Sequence, residues 1–178
     1  WAPQDGTERT NFTLLSNVLT AIGLSLIIMA AIVATLRTNE QHRLNWKYGL
    51  IWGAAGYAVF FIAPSLGLPP EIPGAAAGPL ELRQLWWLSA VVFTAAGLAA
   101  AVFGKAPWRW AALSLLLVPH LVGAPQSETQ HFSDQPPAAA AELMELAHQF
   151  ISATAFANAA FWLVLGLVSV WAVRRIAS

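Results

Sequence analysis

Apolar and polar residues are segregated along this chain into five long apolar stretches separated by polar connections. The first runs from about Phe12 to Leu36 without a charge, and the second from about Tyr48 to Leu66. The third covers about Leu85 to Gly104. The fourth, about Trp108 to Val122, is the shortest and carries Arg109 near one end and His120 near the other. The fifth runs from about Phe150 to Val173, again uncharged. A helix needs ~20 apolar residues to cross ~30 Å of hydrocarbon. In lipid each such stretch is helical, because every backbone N–H and C=O must find a partner inside the segment. The pattern therefore predicts an all-α fold, a polytopic integral membrane helix bundle with five transmembrane helices in this chain.

The connections are of two kinds. Residues 37–47 and 105–107 are short and basic. Residues 67–84 and 123–145 are longer and contain the turn-forming runs Pro69-Pro70-Glu71-Ile72-Pro73-Gly74 and Asp134-Gln135-Pro136-Pro137, which block regular helix. The run from Ala138 to Ala141, followed by Glu142-Leu143-Met144-Glu145-Leu146, suits a helix leading into the fifth span. No internal repeat is visible, and residues 1–178 read as a single transmembrane domain with outer loops at 67–84 and 123–145.

Composition sharpens this picture. The chain is 57% hydrophobic and 10% charged, whereas soluble domains carry roughly 25% charged residues. Nine Lys and Arg against nine Asp and Glu leave no basic excess for nucleic acid. The absence of cysteine excludes disulfides and thiolate metal sites.

Charge placement gives an orientation. Arg37, Arg43, Lys47, Lys105, Arg109, Arg174 and Arg175 fall on one side with Glu40 as the sole acid. Arg9 and Arg83 fall on the other with Asp5, Glu8, Glu71, Glu81, Glu128, Asp134, Glu142 and Glu145. Seven of nine cations on one side is a positive-inside pattern. It puts the C-terminus in the cytoplasm, and both Trp1 and the two long loops outside. The start at Trp1, with no signal peptide, points to a further helix upstream and so to six spans in the intact protein. Most tryptophans, among them Trp46, Trp86, Trp87, Trp108, Trp110 and Trp171, stand near span ends, where an interfacial belt belongs.

No Asp, Glu, Lys or Arg lies deep in a span, which argues against a proton pump, a voltage sensor or a mid-membrane carboxylate site. The polar residues within spans are few, and Asn17 and Asn158 are the costliest to bury. They serve either as interhelical hydrogen-bonding groups or as amides lining a pathway. The outer side holds His120, His131 and His148 with eight of the nine acids. Glu142, Glu145 and His148 are spaced by three, so a helix brings them near one face. Carboxylate and imidazole together suit a borderline divalent ion such as Co²⁺, Ni²⁺ or Zn²⁺. The plainer account is that acids lie outside because cations lie inside, and that His120 is a structural interfacial residue. The sequon Asn11-Phe12-Thr13 abuts a span and carries no argument. A cytochrome b type of haem site requires paired histidines inside the bundle, and only His120 qualifies. Small residues, Gly53-Ala54-Ala55-Gly56, Ala95-Ala96-Gly97 and Ala153 to Ala160, mark close helix packing.

Several ordered stretches together resemble one family. They are Trp1-Ala2-Pro3-Gln4-Asp5-Gly6-Thr7-Glu8-Arg9-Thr10 with Leu14-Leu15-Ser16-Asn17, the segment from Gly56 through Ala63-Pro64-Ser65 to Pro69-Pro70-Glu71, and Arg83-Gln84-Leu85-Trp86-Trp87. Pro119-His120-Leu121-Val122-Gly123-Ala124-Pro125 and the residues around Phe161-Trp162 complete the series. The chain resembles the CbtA family of predicted cobalt transporter subunits. The resemblance implies a non-enzymatic role in bacterial cobalt uptake across the inner membrane. It also implies an additional N-terminal hydrophobic segment and a small single-span partner bearing histidines. Asp5, Glu8, Asn17, Glu71, His120 and Glu142 fall on the family pattern, while His131, Glu145 and His148 fall outside it. The expected metal-binding set is Asp5, Glu8, His120, Glu142 and His148, with Asn17 and Asn158 lining a pathway. Cobalt or nickel is then substrate, and no covalent cofactor is expected. The alternative is a non-catalytic accessory subunit of a larger membrane complex.

Overall fold

The structure, a computed structural model, describes residues 3–36, 44–105, 107–127 and 132–177. Five helical elements and no strand occur among these residues. They are α1 (Thr7–Thr35), α2 (Trp46–Ser65), α3 (Leu80–Phe103), α4 (Trp108–Val122) and α5 (Pro137–Ala177). Four of them are long and apolar enough to cross a membrane, and α4 is a shorter apolar helix. The expected helical membrane bundle is thus observed, with the fourth stretch as its short member. The basic connection containing Arg37, Glu40 and Arg43 lies outside the described residues, as do Glu128 and His131.

Local chemistry explains most helix ends. At α1 the Glu8 carboxylate accepts the Gln4 N–H at 3.3 Å, and Asp5 pairs with Arg9 at 2.8 Å. Acidic groups are stabilised there by the exposed N–H dipoles of the first turn. At α2 the Asn45 side-chain oxygen accepts the Tyr48 N–H at 3.1 Å, which satisfies one of the helix's orphan donors. Pro137 opens α5, where a missing N–H costs nothing, and Arg174 and Arg175 sit in its last turn against the negative end of the dipole. Gly123, with φ of 86°, ends α4.

Two helices depart from α geometry, each just before a proline. Within α2, residues Ala58–Ile62 form a π turn. Pro64 has no N–H for the Phe60 carbonyl, and its ring crowds that carbonyl; the wider turn relieves the clash. Within α4, Ala112–Leu117 form a 3-10 helix upstream of Pro119. A 3-10 turn rises ~2.0 Å per residue against ~1.5 Å for an α turn. With six of its 15 residues tightened, α4 reaches about 25 Å rather than about 22 Å. That brings a short segment closer to the ~30 Å hydrocarbon thickness.

The chain divides into two compact units. One takes the described residues up to Ala54 together with α5 from Phe161 onward. In it Ile28 and Ile32 of α1 are buried, as are Trp162, Leu165, Ser169, Val170 and Val173 of α5. Its tightest point is a crossing of glycines. A Cβ on Gly166 would meet the Gly49 carbonyl and would lie 2.5 Å from the Gly53 nitrogen. A Cβ on Gly53 would lie 2.6 Å from the Trp162 carbonyl. Gly49 and Gly53 form a G-x-x-x-G pair on one face of α2, which lets two helix backbones touch. The Tyr48 hydroxyl and the Thr35 hydroxyl lie 3.1 Å apart beside it.

The other unit spans Ala55–Ala160. Its core is the stripe Trp86, Ala90, Val91, Thr94 and Gly97 on α3, spaced so that all face one side of the helix. The 3-10 part of α4 packs along that stripe, with Leu116 and the Ala112 carbonyl against Gly97. The Trp86 indole donates to the Pro119 carbonyl at 2.9 Å and its ring fills the space beside Gly67. The Tyr57 hydroxyl donates to the Ala155 carbonyl at 3.1 Å. Gln126 donates to the Gly67 carbonyl at 3.2 Å, and so fastens the loop after α4.

Candidate functional site

The residues proposed to bind metal are placed as follows. Asp5 is exposed at the start of α1 and holds Arg9 at 2.8 Å. Glu8 is half-buried and takes the Gln4 N–H. Arg9, together with Pro3, Phe12, Thr13, Ser16 and Asn17, lines an open groove of about 540 Å³. The expected pathway amide Asn17 is therefore exposed on α1, within its apolar length, and its carboxamide makes no hydrogen bond to another described residue.

His120 is half-buried in α4. Its ring meets the Trp86 ring edge-on, with centroids 5.6 Å apart. The indole N–H below is committed to the neighbouring Pro119 carbonyl, so His120 rests on a fixed aromatic platform. Glu142, Glu145 and His148 are exposed on the first turns of α5, in the helix that their spacing anticipated. Glu145 accepts from the Gln149 amide at 3.0 Å. Asn158 is half-buried further along α5 and donates to the Thr154 carbonyl one turn back, at 2.9 Å. Its hydrogen bond is thus spent inside its own helix.

Among the described residues no group of three or more His, Asp or Glu converges in a way that holds a metal ion. Asp5 and Glu8 are engaged locally, in an i to i+4 ion pair and a cap, while His120 meets the Trp86 ring of α3. His131, weighed as a lesser candidate, lies outside the described residues.

A polar feature that the residue pattern did not single out stands beside the π turn. Glu71 and Arg83 form an ion pair, with 23% and 24% of their side-chain surfaces exposed. They lie in a cavity of about 700 Å³ whose walls include Phe60 and Phe61 of the π turn, Leu68, Trp87 and Leu88. The Arg83 Nε is buried and lacks a hydrogen-bond partner. Twelve residues separate the pair in sequence, and the intervening Pro/Gly run folds them together. The sequence signal was an acid within that run and a base beyond it, each near the end of an apolar span.

A family model described as a probable cobalt transporter subunit (CbtA) matches residues 1–174. No curated protein and no solved structure matches significantly.

Proposed function

The chain belongs to the CbtA family of probable cobalt transporter subunits, and from that premise we propose that it is the membrane-embedded subunit of a bacterial cobalt uptake system whose transport path is completed by a partner chain. The observation that carries this reading is α1. Only 11% of its most apolar stretch is buried, and that stretch belongs to a 29-residue helix exposing Ser16, Asn17 and Thr20 along with its aliphatic side chains. Hydroxyls can bond back to their own helix, as Thr13 does to the Arg9 carbonyl at 2.8 Å. The exposed Asn17 carboxamide makes no such bond, and a polar group left unpaired in hydrocarbon costs several kcal/mol on a scale of roughly 2–7. A second transmembrane helix laid on this face resolves that cost. A small single-span partner bearing histidines fits the role, because imidazole would add the nitrogen ligands that a borderline divalent ion prefers.

On this reading Asp5, Glu8, His120, Glu142 and His148 gather Co²⁺ or Ni²⁺ at the outer side, and Asn17 and Asn158 offer neutral oxygen further in. The protein lies in the inner membrane as one transmembrane domain with its C-terminus in the cytoplasm, and it catalyses no reaction. The second reading, a non-catalytic accessory subunit, is favoured by the local engagement of Asp5, Glu8, Glu145 and Asn158.

Radiolabelled cobalt uptake by cells expressing the intact gene, with and without the partner, separates the two. Uptake competed by unlabelled Co²⁺ and reduced in His120→Ala at equal folded abundance supports the transport path. Uptake that is absent, or indifferent to His120→Ala, Glu142→Ala and Asn17→Leu alike, leaves the accessory role.

A further inference from the structure

The cavity around Glu71 and Arg83 has the features of an amphiphile site rather than a metal site. Its charged end is a single ion pair, so a cation arriving there meets Arg83 as well as Glu71 and is repelled about as much as attracted. Its remaining wall is mostly apolar, with Phe60, Leu68, Leu80, Trp87 and Leu88, and only Ser65 and Gln84 add neutral polar groups. The pair sits where two apolar spans end, since α2 stops at Ser65 and the third apolar stretch begins at Leu85. That is the headgroup level of a bilayer. The volume, about 700 Å³, falls within the usual range of small-ligand sites.

We propose that this cavity binds a zwitterionic aminophospholipid, with the lipid phosphate on Arg83, its primary ammonium on Glu71 and the upper acyl chain along Phe60, Trp87 and Leu88. Three observations fix the class of ligand. The Arg83 Nε is buried without an acceptor, and a phosphate oxygen supplies one, because guanidinium and phosphate match in geometry. Glu71 contacts Arg83 through one oxygen, which leaves the other for an ammonium donor. The carboxylate beside the guanidinium also penalises lipids with net negative charge, since their phosphate gains Arg83 but faces Glu71 without a compensating cation. A trimethylated headgroup has no N–H to donate to Glu71 and retains only its attraction to the Trp87 ring. The expected order of preference is therefore phosphatidylethanolamine, then phosphatidylcholine, then phosphatidylglycerol. The π turn is part of the device, because the widened turn carries Phe60 and Phe61 on the cavity wall.

This inference uses only the placement of the chain in a membrane and does not depend on metal transport. The test reconstitutes the purified chain in nanodiscs containing equal parts of the three lipids, then counts retained lipid by native mass spectrometry after mild detergent extraction. Wild type should hold phosphatidylethanolamine about fivefold over phosphatidylglycerol, the scale of one partly exposed ion pair. Glu71→Gln should bring phosphatidylethanolamine and phosphatidylcholine to parity while lipid is still retained. Arg83→Gln should abolish retention. Leu88→Trp leaves both charges in place, fills the cavity and should also abolish retention, so it guards against misfolding of the charge variants. Retained lipid that mirrors the nanodisc composition overturns the proposal. So does a preference unchanged in both Glu71→Gln and Leu88→Trp. Soluble phosphorylethanolamine displacing the lipid at equal concentration would also overturn it, since the acyl contacts would then contribute nothing.

Discussion

Gly166→Ala adds one methyl group at the point where α2 and α5 come closest, so its cost can be worked from the backbone distances. The new Cβ would lie 2.5 Å from the Gly53 nitrogen and 2.8 Å from the Gly53 Cα, where ordinary contact begins at 3.4 Å. All of the obstructing atoms are backbone, so no side chain can swing aside. The Gly49 carbonyl lies nearer still, so the two helices must part by about 1 Å, and a gap of that size forfeits a quarter to a half of each dispersion contact across it. With on the order of 20 close atom pairs at about 0.1–0.2 kcal/mol each, the loss is about 1 kcal/mol. Residual strain brings the total to about 2 kcal/mol, within the range for overpacked cores, which is roughly a 30-fold shift in the folded-to-unfolded ratio. The control is Gly23→Ala on α1, where nothing lies within 4 Å of the added Cβ. Helix propensity there favours alanine by up to ~1 kcal/mol. Tryptophan fluorescence during titration from mild detergent into dodecyl sulfate gives both midpoints. Gly166→Ala with the wild-type midpoint, or a loss equally large in Gly23→Ala, would refute the close glycine crossing.

Gly97→Ala should be milder, at about 1 kcal/mol or less. The nearest obstacle to its Cβ is the end of the flexible Leu116 side chain, although the Ala112 carbonyl at 3.0 Å also has to give. The same titration should place it between Gly23→Ala and Gly166→Ala. Trp86→Phe keeps an aromatic ring beside His120 but removes the donor to the Pro119 carbonyl. The Pro119 carbonyl keeps the Gly123 N–H at 3.1 Å, so the change should cost about 0.5–1.5 kcal/mol, the net worth of one hydrogen bond, and thermal unfolding in detergent should report it. If Trp86→Phe is neutral, the indole N–H is not what anchors α4 to α3.

The helices were legible from the residue pattern because membrane spans announce themselves by length and apolarity alone. The boundaries were less so. α3 begins at Leu80, five residues before the apolar stretch starts at Leu85, whereas the lead-in of α5 from Pro137 was visible in the Ala138–Ala141 run. Polar residues such as Glu81 and Glu142 continue a helix freely once it has left the hydrocarbon. The π and 3-10 segments follow from Pro64 and Pro119, but a proline states only that a hydrogen bond is missing. It does not state which turn absorbs the loss. The spacing of Gly49 and Gly53 was in plain view, yet their partner Gly166 lies over a hundred residues away and carries no local mark. The candidate metal residues show the opposite limit. Their types suited the ion, but residue type does not reveal that Asp5 is held by Arg9 or that His120 rests on Trp86. The pairing of Glu71 with Arg83 depended on how the Pro/Gly run folds, which composition does not specify.

The 3-10 turn in α4 has a consequence for the bilayer itself. Even lengthened, a span of about 25 Å falls short of hydrocarbon that averages about 30 Å. Set across a bilayer, α4 would oblige neighbouring lipids to shorten their chains or tilt to keep Trp108 and Trp110 at one surface and Gly123 at the other. Each ångström of such mismatch costs a fraction of a kcal/mol. With α4 set across the bilayer the protein would carry a thin spot with it, and membranes whose acyl chains are short would accommodate it with less deformation than thick, ordered ones.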